Sequence, residues 1–419
     1  MRVVSHGTRW SRLAAVLAAL VVLPIVSVVA GPVAHAETAL VPPQDDPFYR
    51  ADGSLDGVAP GTVLRTRTVG LAPTGTPLPI EATQVLYRTT GQRGEPLATV
   101  TTVIRPPGAT GQPRLVSYQT AYDGLGARCN PSYTLRGGDR GVPQDTLAIA
   151  SLVAAGFTVV TSDYEGPELA YGPGRLAGYA TLDSIRAAET VLDAPSSTPV
   201  GMAGFSGGSI PTEFAAELAP TYAPELTIIG TAVGGFAPDL ANTIDYINGK
   251  PDWPILLPFV LQGMARGYGI DLSPYLSDYG RELFARVSDR CILDLIDSHQ
   301  FSGLRIEQML RPEYQNWRSV PVLAEILDQE RMGVTGDPTG PLLFFGGNSD
   351  GRGDTVMLSA DQRELAVDYC RRGIAVRQEE IPGADHLAAS VLFVPAAQAF
   401  LQERFDGVPF HGNCAALTR

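Results

Sequence analysis

The chain is expected to form a mostly parallel central sheet with helices on both faces and an inserted helical cap, and three features of the sequence predict it. Apolar, β-branched runs alternate with helical patterns between Arg114 and Ala203, the pattern of buried parallel strands joined by crossover helices. One of these runs leads into Gly204-x-Ser206-x-Gly208, the sequence form of a sharp strand-to-helix turn. Beyond it, from Phe236 to Val334, strand-like runs vanish and helical patterns take over, until a strand returns at Leu342.

The elements follow in order. Arg2, Arg9 and Arg12, the apolar stretch Leu13 to Ala30 and the ending Ala34-His35-Ala36 read as a secretory signal peptide over residues 1–36, cleaved after Ala36. The stretch is also long enough to anchor in a membrane, and the small-residue ending is what favours cleavage. Residues 37–235 form the first part of the core. Within them, Val63–Val69, Thr83–Thr89 and Thr99–Arg105 carry alternating β-branched and polar residues, as early antiparallel strands do. Arg114–Thr120 and Phe157–Asp163 read as strands, Asp145–Ala155 and Ala180–Leu192 as helices, and Val200–Ala203 as the strand before the turn. Residues 236–335 are the helical cap insertion, with patterns at Ile255–Ala265, Arg281–Phe301, Leu304–Leu310 and Val320–Gln329. Residues 336–419 complete the core with strands at Leu342–Phe345 and Ile374–Glu380 and a closing helix at Ala396–Phe405.

The turn at Ser206 presents a hydroxyl at its tip and backbone N–H groups beside it. A serine hydroxyl is a weak nucleophile without a base, usually a histidine oriented by a carboxylate. His386, in the loop Pro382-Gly383-Ala384-Asp385 after the last strand, is the expected base, ahead of His299 in the insertion and His411 after the closing helix. Asp350, after the strand Leu342–Phe345, is the expected acid. Asp354, four residues on, is its nearest competitor, and the alternative for Asp350 is a plain turn residue before Gly351. The N–H of Gly207 is one expected oxyanion donor. Asp123, in the loop Ala121–Gly126, could supply the other, through its backbone N–H or a protonated carboxyl.

Composition sets limits on partners. The formal charge is −13 over 419 residues, and the leader removes three arginines and no acid, so the mature chain is more anionic still. Such a surface repels nucleic acid and anionic headgroups. Cys129, Cys291, Cys370 and Cys414 are an even set in an exported chain, which favours two disulfides in one of three pairings. No Cys-x-x-Cys or Cys/His spacing suggests a metal, and the chemistry needs no metal or organic cofactor.

Several further segments, taken in order along the mature chain, carry a resemblance. They are Asp46-Pro47-Phe48-Tyr49, Pro60 to Arg65, Gln84 to Thr89, Tyr118-Gln119, Cys129 with Pro131-Ser132-Tyr133, Asp163 to Pro167, Ile185-Arg186-Ala187, the turn at Ser206, and Arg404-Phe405-Asp406-Gly407 before Cys414. With them the chain resembles the secretory lipases of the α/β-hydrolase fold, typified by fungal lipase A enzymes. The resemblance implies an extracellular carboxylic ester hydrolase acting on acylglycerols. It also implies a Ser206, Asp350, His386 triad, an oxyanion hole at Asp123 and Gly207, a cap at the helical insertion, and disulfides joining Cys129 to Cys291 and Cys370 to Cys414.

The expected function is therefore a secreted triacylglycerol lipase acting through an acyl-enzyme. The alternatives are a carboxylesterase for short soluble esters, or an acyltransferase or peptidase with the same triad. A non-catalytic binding protein on this scaffold would typically lose a triad member. The expected partners are a small-molecule or lipid ester substrate and a transient lipid-surface contact through the cap, where Trp253 to Leu261 form an apolar stretch. No nucleic acid and no obligate protein partner is expected.

Overall fold

The computed structural model describes residues 40–296 and 300–419. The expected leader and His299 lie outside the described residues.

Nine strands form one sheet among the described residues: β1 (Val63–Gly70), β2 (Glu81–Thr90), β3 (Pro96–Ile104), β4 (Leu115–Gln119), β5 (Thr158–Ser162), β6 (Pro199–Phe205), β7 (Thr227–Gly234), β8 (Leu342–Asn348) and β9 (Val376–Pro382). Their order is β1-β2-β3-β5-β4-β6-β7-β8-β9. The first three pair antiparallel, and β3 pairs antiparallel with β5. From β5 through β4, β6, β7 and β8 to β9 every pairing is parallel. The expected architecture is thus present, with helices over both faces.

Before β7 the helices are α1 (Pro131–Thr134), α2 (Pro143–Ala154), α3 (Gly174–Val191) and α4 (Ser209–Tyr222). Between β7 and β8 lie α5 (Leu240–Ile247), α6 (Leu256–Tyr268), α7 (Asp278–Val287), α8 (Ile306–Met309) and α9 (Pro321–Gln329). The chain closes with α10 (Ser359–Arg371), α11 (His386–Phe405) and α12 (Cys414–Leu417).

Strand side chains alternate between faces, and the burial follows that period. Leu115, Met202, Val233 and Phe344 pack with α3, α4 and α10, through Leu182, Ile185, Phe214, Leu365 and Tyr369. Val116, Tyr118, Ala203, Phe205, Leu343 and Phe345 pack on the opposite face with α2 and α11, through Ile149, Leu152, Phe393, Phe400 and Leu401. The helices between β7 and β8 gather their own apolar cluster, including Phe259, Leu283, Ile306, Met309 and Val320.

Two expectations change, and two elements are unexpected. Arg281–Phe301 is not one helix: α7 ends at Val287, and the chain is extended at Cys291 (φ −89°, ψ 148°), where a disulfide fixes it to the core. The closing helix begins at His386 instead of Ala396. Pro395 sits inside this helix, where a proline more often ends one. β7 and α10 have no counterpart among the expected elements.

Cys129 bonds to Cys291 and Cys370 to Cys414, with Cα separations of 5.5 and 5.4 Å. This is the pairing the resemblance implies. The second bond ties α12 to α10 across a separation of 44 residues, which chain entropy values at about 4 kcal/mol as an upper bound. Replacing Cys370 and Cys414 together by alanine is expected to lower the unfolding free energy by about 2–4 kcal/mol. Denaturant titration checks this, and an unchanged midpoint would show the bond to be dispensable.

Candidate active site

β6 ends at Phe205 and delivers Ser206 to the turn before α4 with φ +56°, the left-handed region that a side chain enters only when its surroundings impose it. Two glycines let the turn close. A Cβ on Gly204 would lie 2.1 Å from the carbonyl oxygen of Gly208, and one on Gly208 would lie 2.1 Å from that of Gln119 on β4. Strand, turn and helix therefore pack at distances that only hydrogen permits.

His386 is the first residue of α11. Asp385 caps that helix by accepting the N–H of Ala388 at 2.8 Å, which turns its carboxylate away from the imidazole. The imidazole Nε2 lies 2.8 Å from Ser206 Oγ, and Nδ1 lies 2.8 Å from Asp354 Oδ2. His386 and Asp354 are both buried. Phe205 and Trp253 flank the imidazole at centroid distances of 5.1 and 5.3 Å, so the ring is held on two sides by packing.

The acid beside His386 is thus Asp354, and the expectation of Asp350 is corrected. Asp350 Oδ1 accepts the N–H groups of Arg352 and Gly353 at 2.8 and 2.9 Å, closing the turn after β8. Its Oδ2 accepts from the Tyr246 hydroxyl at 2.9 Å and faces Lys250 at 3.8 Å, with the side chain 41% exposed. Asp350 is the turn residue that its place before Gly351 suggests. The turn carries the chain back to Asp354, whose Oδ1 accepts the N–H groups of Val356 and Met357 at 3.0 and 2.7 Å. The backbone of Asp354 also accepts the N–H of His386 at 2.7 Å. Carboxylate and imidazole are therefore joined through both main chain and side chain.

Asp123 stands across from the serine with φ +37°. Its Oδ1 lies where a Cβ on Gly207 would be, 1.6 Å from that position, and has no hydrogen-bond partner among the described residues. Burial, then the neighbouring charge of Asp145, pushes the carboxyl up to about 7, against an opposing effect from His386. Asp123 and Gly207 are thus side by side at the serine, as the sequence suggests.

The loop bearing Asp123 is fastened at each end. Asp145 accepts the N–H of Ala121 at 2.8 Å, and Glu165 accepts that of Gly124 at 3.2 Å. The carbonyl of Asp123 takes the N–H of Ile292 at 3.1 Å, and the N–H of Leu125 reaches Arg290 O at 2.9 Å. The Arg266 guanidinium donates to the carbonyls of Leu125, Leu169 and Ser288, and Cys129–Cys291 locks the same junction. Asp145, Arg266 and Trp253 support the site without a motif of their own, since they meet it only through the fold.

A cavity of about 440 Å³ opens over the serine. Ser206, His386 and Asp123 line it together with Val142 and Pro143, Trp253 and Ile255, Ile292, Phe301, Leu387 and Val394. A narrower apolar space of about 30 Å³ also touches Ser206, between Ile210, Leu240, Ile244, Leu256, Val260 and Met357. The Trp253–Leu261 stretch packs inward, with Leu256, Leu257, Phe259, Val260 and Leu261 buried.

This geometry can do one kind of chemistry well. A carboxylate that accepts from Nδ1–H leaves Nε2 free to take the hydroxyl proton, and donors beside the serine can receive an oxyanion.

The profile of the secretory lipase family matches residues 140–413. A protein of Mycobacterium tuberculosis described as a probable inactive lipase is 34% identical over 381 residues, covering 88% of this chain and 83% of its own. Lipase A of Arthroderma benhamiae is 32% identical over 405 residues, covering 91% and 84%. The crystal structure of Candida antarctica lipase A superposes with a TM-score of 0.81 at 27% identity, covering 90% of this chain and 89% of that one. With this fold, and this match along most of its length, the chain belongs to the secretory lipase family of carboxylic ester hydrolases.

Proposed function

We propose that this chain is a secreted triacylglycerol lipase that works through a serine acyl-enzyme, with Ser206 as nucleophile, His386 as base and Asp354 as the orienting acid. The observation that carries the reading is the unbroken hydrogen-bond path from Ser206 Oγ through the imidazole to Asp354, at the floor of a largely apolar cavity. Ser206 Oγ attacks the ester carbonyl as Nε2 takes its proton. The tetrahedral oxyanion is received by the N–H of Gly207 and the protonated carboxyl of Asp123. Its collapse breaks the bond to the alcohol, which leaves with the proton from the imidazolium. Water then attacks the acyl-serine by the same route and releases the fatty acid. The largely apolar cavity of about 440 Å³ beside Ser206 is wide enough to take an ester with an apolar chain, whereas the space of about 30 Å³ behind the serine is too small for one. The leader over residues 1–36, with cleavage after Ala36, is part of the proposal, and two disulfides support an exported chain.

The relative described as a probable inactive lipase raises a second reading, a non-catalytic member of the family. The Ser206, His386 and Asp354 contacts count against it here.

A fluorophosphonate probe is expected to label the wild type and not Ser206→Ala, and equal labelling of both would place the nucleophile elsewhere. Asp354→Asn is expected to lower kcat by a factor on the order of 10³–10⁴, with Asp350→Asn within about threefold of wild type. Steady-state hydrolysis of a soluble ester decides between them, and the reverse order would overturn the assignment of Asp354.

Asp123 gives a pH test. Its carboxyl is raised to about 7, so the protonated, donating form prevails below that pH and the ionised form, which opposes an oxyanion, above it. The Asp123 contribution to kcat/KM therefore falls as pH rises through about 7. Asp123→Asn keeps a donor at every pH and is expected to lose that decline, whereas Asp123→Ala is expected to cost on the order of 10²-fold in kcat. Unaltered pH profiles in both variants would leave the backbone N–H as the only contribution of Asp123.

Lipase and esterase separate on substrate. Activity on a long-chain triacylglycerol emulsion below about one per cent of that on a short soluble ester, with the apolar cavity left unused, would remove the lipase assignment.

A further inference from the structure

The helices that wall the cavity mouth, α2 and α11, have an unusual outer surface. From Gly141 to Phe157 the only charged residue is Asp145, which is buried, and from His386 to Gln402 there is no Asp, Glu, Lys or Arg. α11 buries Ala389, Phe393, Ala397, Phe400 and Leu401 against the sheet. Its outer side nevertheless carries Leu387, Val391 and Leu392, which are 54, 53 and 45% exposed, and Leu147 on α2 is 58% exposed. A helix that is apolar around its circumference is ordinarily buried all round, and α11 lies on the surface.

These side chains continue the cavity rim. Leu387 lines the cavity, and Val391 stands one helical turn beyond it. Pro143 and Gln144 line it from α2, and Leu147 stands one turn beyond them. The other exposed large apolar residues, Val41, Leu78, Tyr279, Val334 and Val408, are scattered along the chain, as single surface residues commonly are.

We propose that Leu147, Leu387, Val391 and Leu392 form the face on which the protein rests against an uncharged lipid surface, with the cavity mouth turned toward it. The proposal rests on the ester-hydrolase reading for its purpose but not for its physics. Charge selects the occupant. A chain of net charge −13 is repelled by anionic headgroups and by a second copy of itself, whereas a neutral droplet faces the stretches Pro143–Ala154 and 386–402, whose only acid, Asp145, is buried. Size agrees, since four side chains fall well short of the roughly 800 Å² per partner of a stable protein interface. No helix among the described residues is long and apolar enough to cross a membrane, so the contact is a resting one. The leucines and Phe259 of the Trp253–Leu261 stretch are buried and take no part in this face.

The test uses the triple variant Leu147→Gln, Val391→Gln, Leu392→Gln. None of these three lines the cavity, and glutamine suits an exposed helix. Binding is measured by flotation with a triolein emulsion in a Ser206→Ala background, where no hydrolysis can alter the droplets. The triple variant is expected to bind at least about tenfold more weakly, with each single replacement giving part of the loss, should the triple variant fold poorly. With Ser206 restored, its kcat/KM on a soluble short-chain ester is expected to stay within about twofold of wild type, as the exposed side chains stand outside the cavity. Tyr279→Gln, on α7, is expected to bind like the parent. Undiminished flotation of the triple and single variants, or an equal loss in Tyr279→Gln, would overturn the proposal. So would a wild-type dimer that the triple variant converts to monomer, which would make the face a contact between copies. Failure of the ester-hydrolase reading is distinguishable: it would show as absent hydrolysis and absent labelling of Ser206, with flotation intact.

Discussion

The site depends on the double attachment between Asp354 and His386. One hydrogen bond joins carboxylate to imidazole and another joins main chain to main chain, so loop and helix are fixed to each other before the serine is considered. The side-chain bond sets which nitrogen faces Ser206. The main-chain bond also satisfies one of the N–H groups that a helix start leaves without a partner, while Asp385 satisfies another. The start of α11 is thus the point where local helix capping and long-range assembly are met by the same few residues. The strained backbone at Ser206 is the complementary half, because a relaxed turn would bury the hydroxyl that Nε2 must reach.

The loop bearing Asp123 is held by two carboxylates, one of which also acts on its proton. Asp145 fixes Ala121 and Glu165 fixes Gly124, so two buried acids flank a third. Burial raises Asp123 first and the charge of Asp145 adds to it. Asp145 therefore both shapes the loop and favours a neutral carboxyl beside Gly207. The helices between β7 and β8 complete the restraint through Arg266, Ile292 and Cys291. This insertion is consequently more than a cover, because it shares hydrogen bonds and a covalent link with the loop beside the serine.

Much of this was legible in the sequence, and the exceptions have physical causes. The Ser206 turn, its glycines and the alternating strands are local, and local chemistry dictates them. His386 could be singled out because few histidines exist and it lies just after the last strand, whereas His411 comes only after the closing helix. Asp350 and Asp354 share a loop, and strand-to-acid spacing could not tell them apart. The discriminating signal was the Asp350-Gly351 pair, which favours a turn, together with the return path that this turn gives the chain. Trp253, Arg266 and Asp145 carry no such signal, since their place at the site comes from tertiary packing alone. The start of α11 has a weak local signal, because its cap, Asp385, directly precedes a histidine whose place is set by long-range contacts with Ser206 and Asp354, and because Pro395 interrupts the helical pattern.

The apolar circumference of α11 links these threads. Its inner side is needed for the core, since Phe393 and Phe400 fill the sheet face behind β6, β7 and β8. Its first residue is needed for the site. Neither requirement bears on Val391 and Leu392, which are 53 and 45% exposed, so that polar residues there would cost little in packing and would improve solubility. Holding apolar side chains at such positions, in a chain otherwise rich in acid, is a cost that folding does not demand. A neutral lipid surface at the cavity mouth gives those side chains a place to be buried, and it does so where an ester must pass on its way to Ser206.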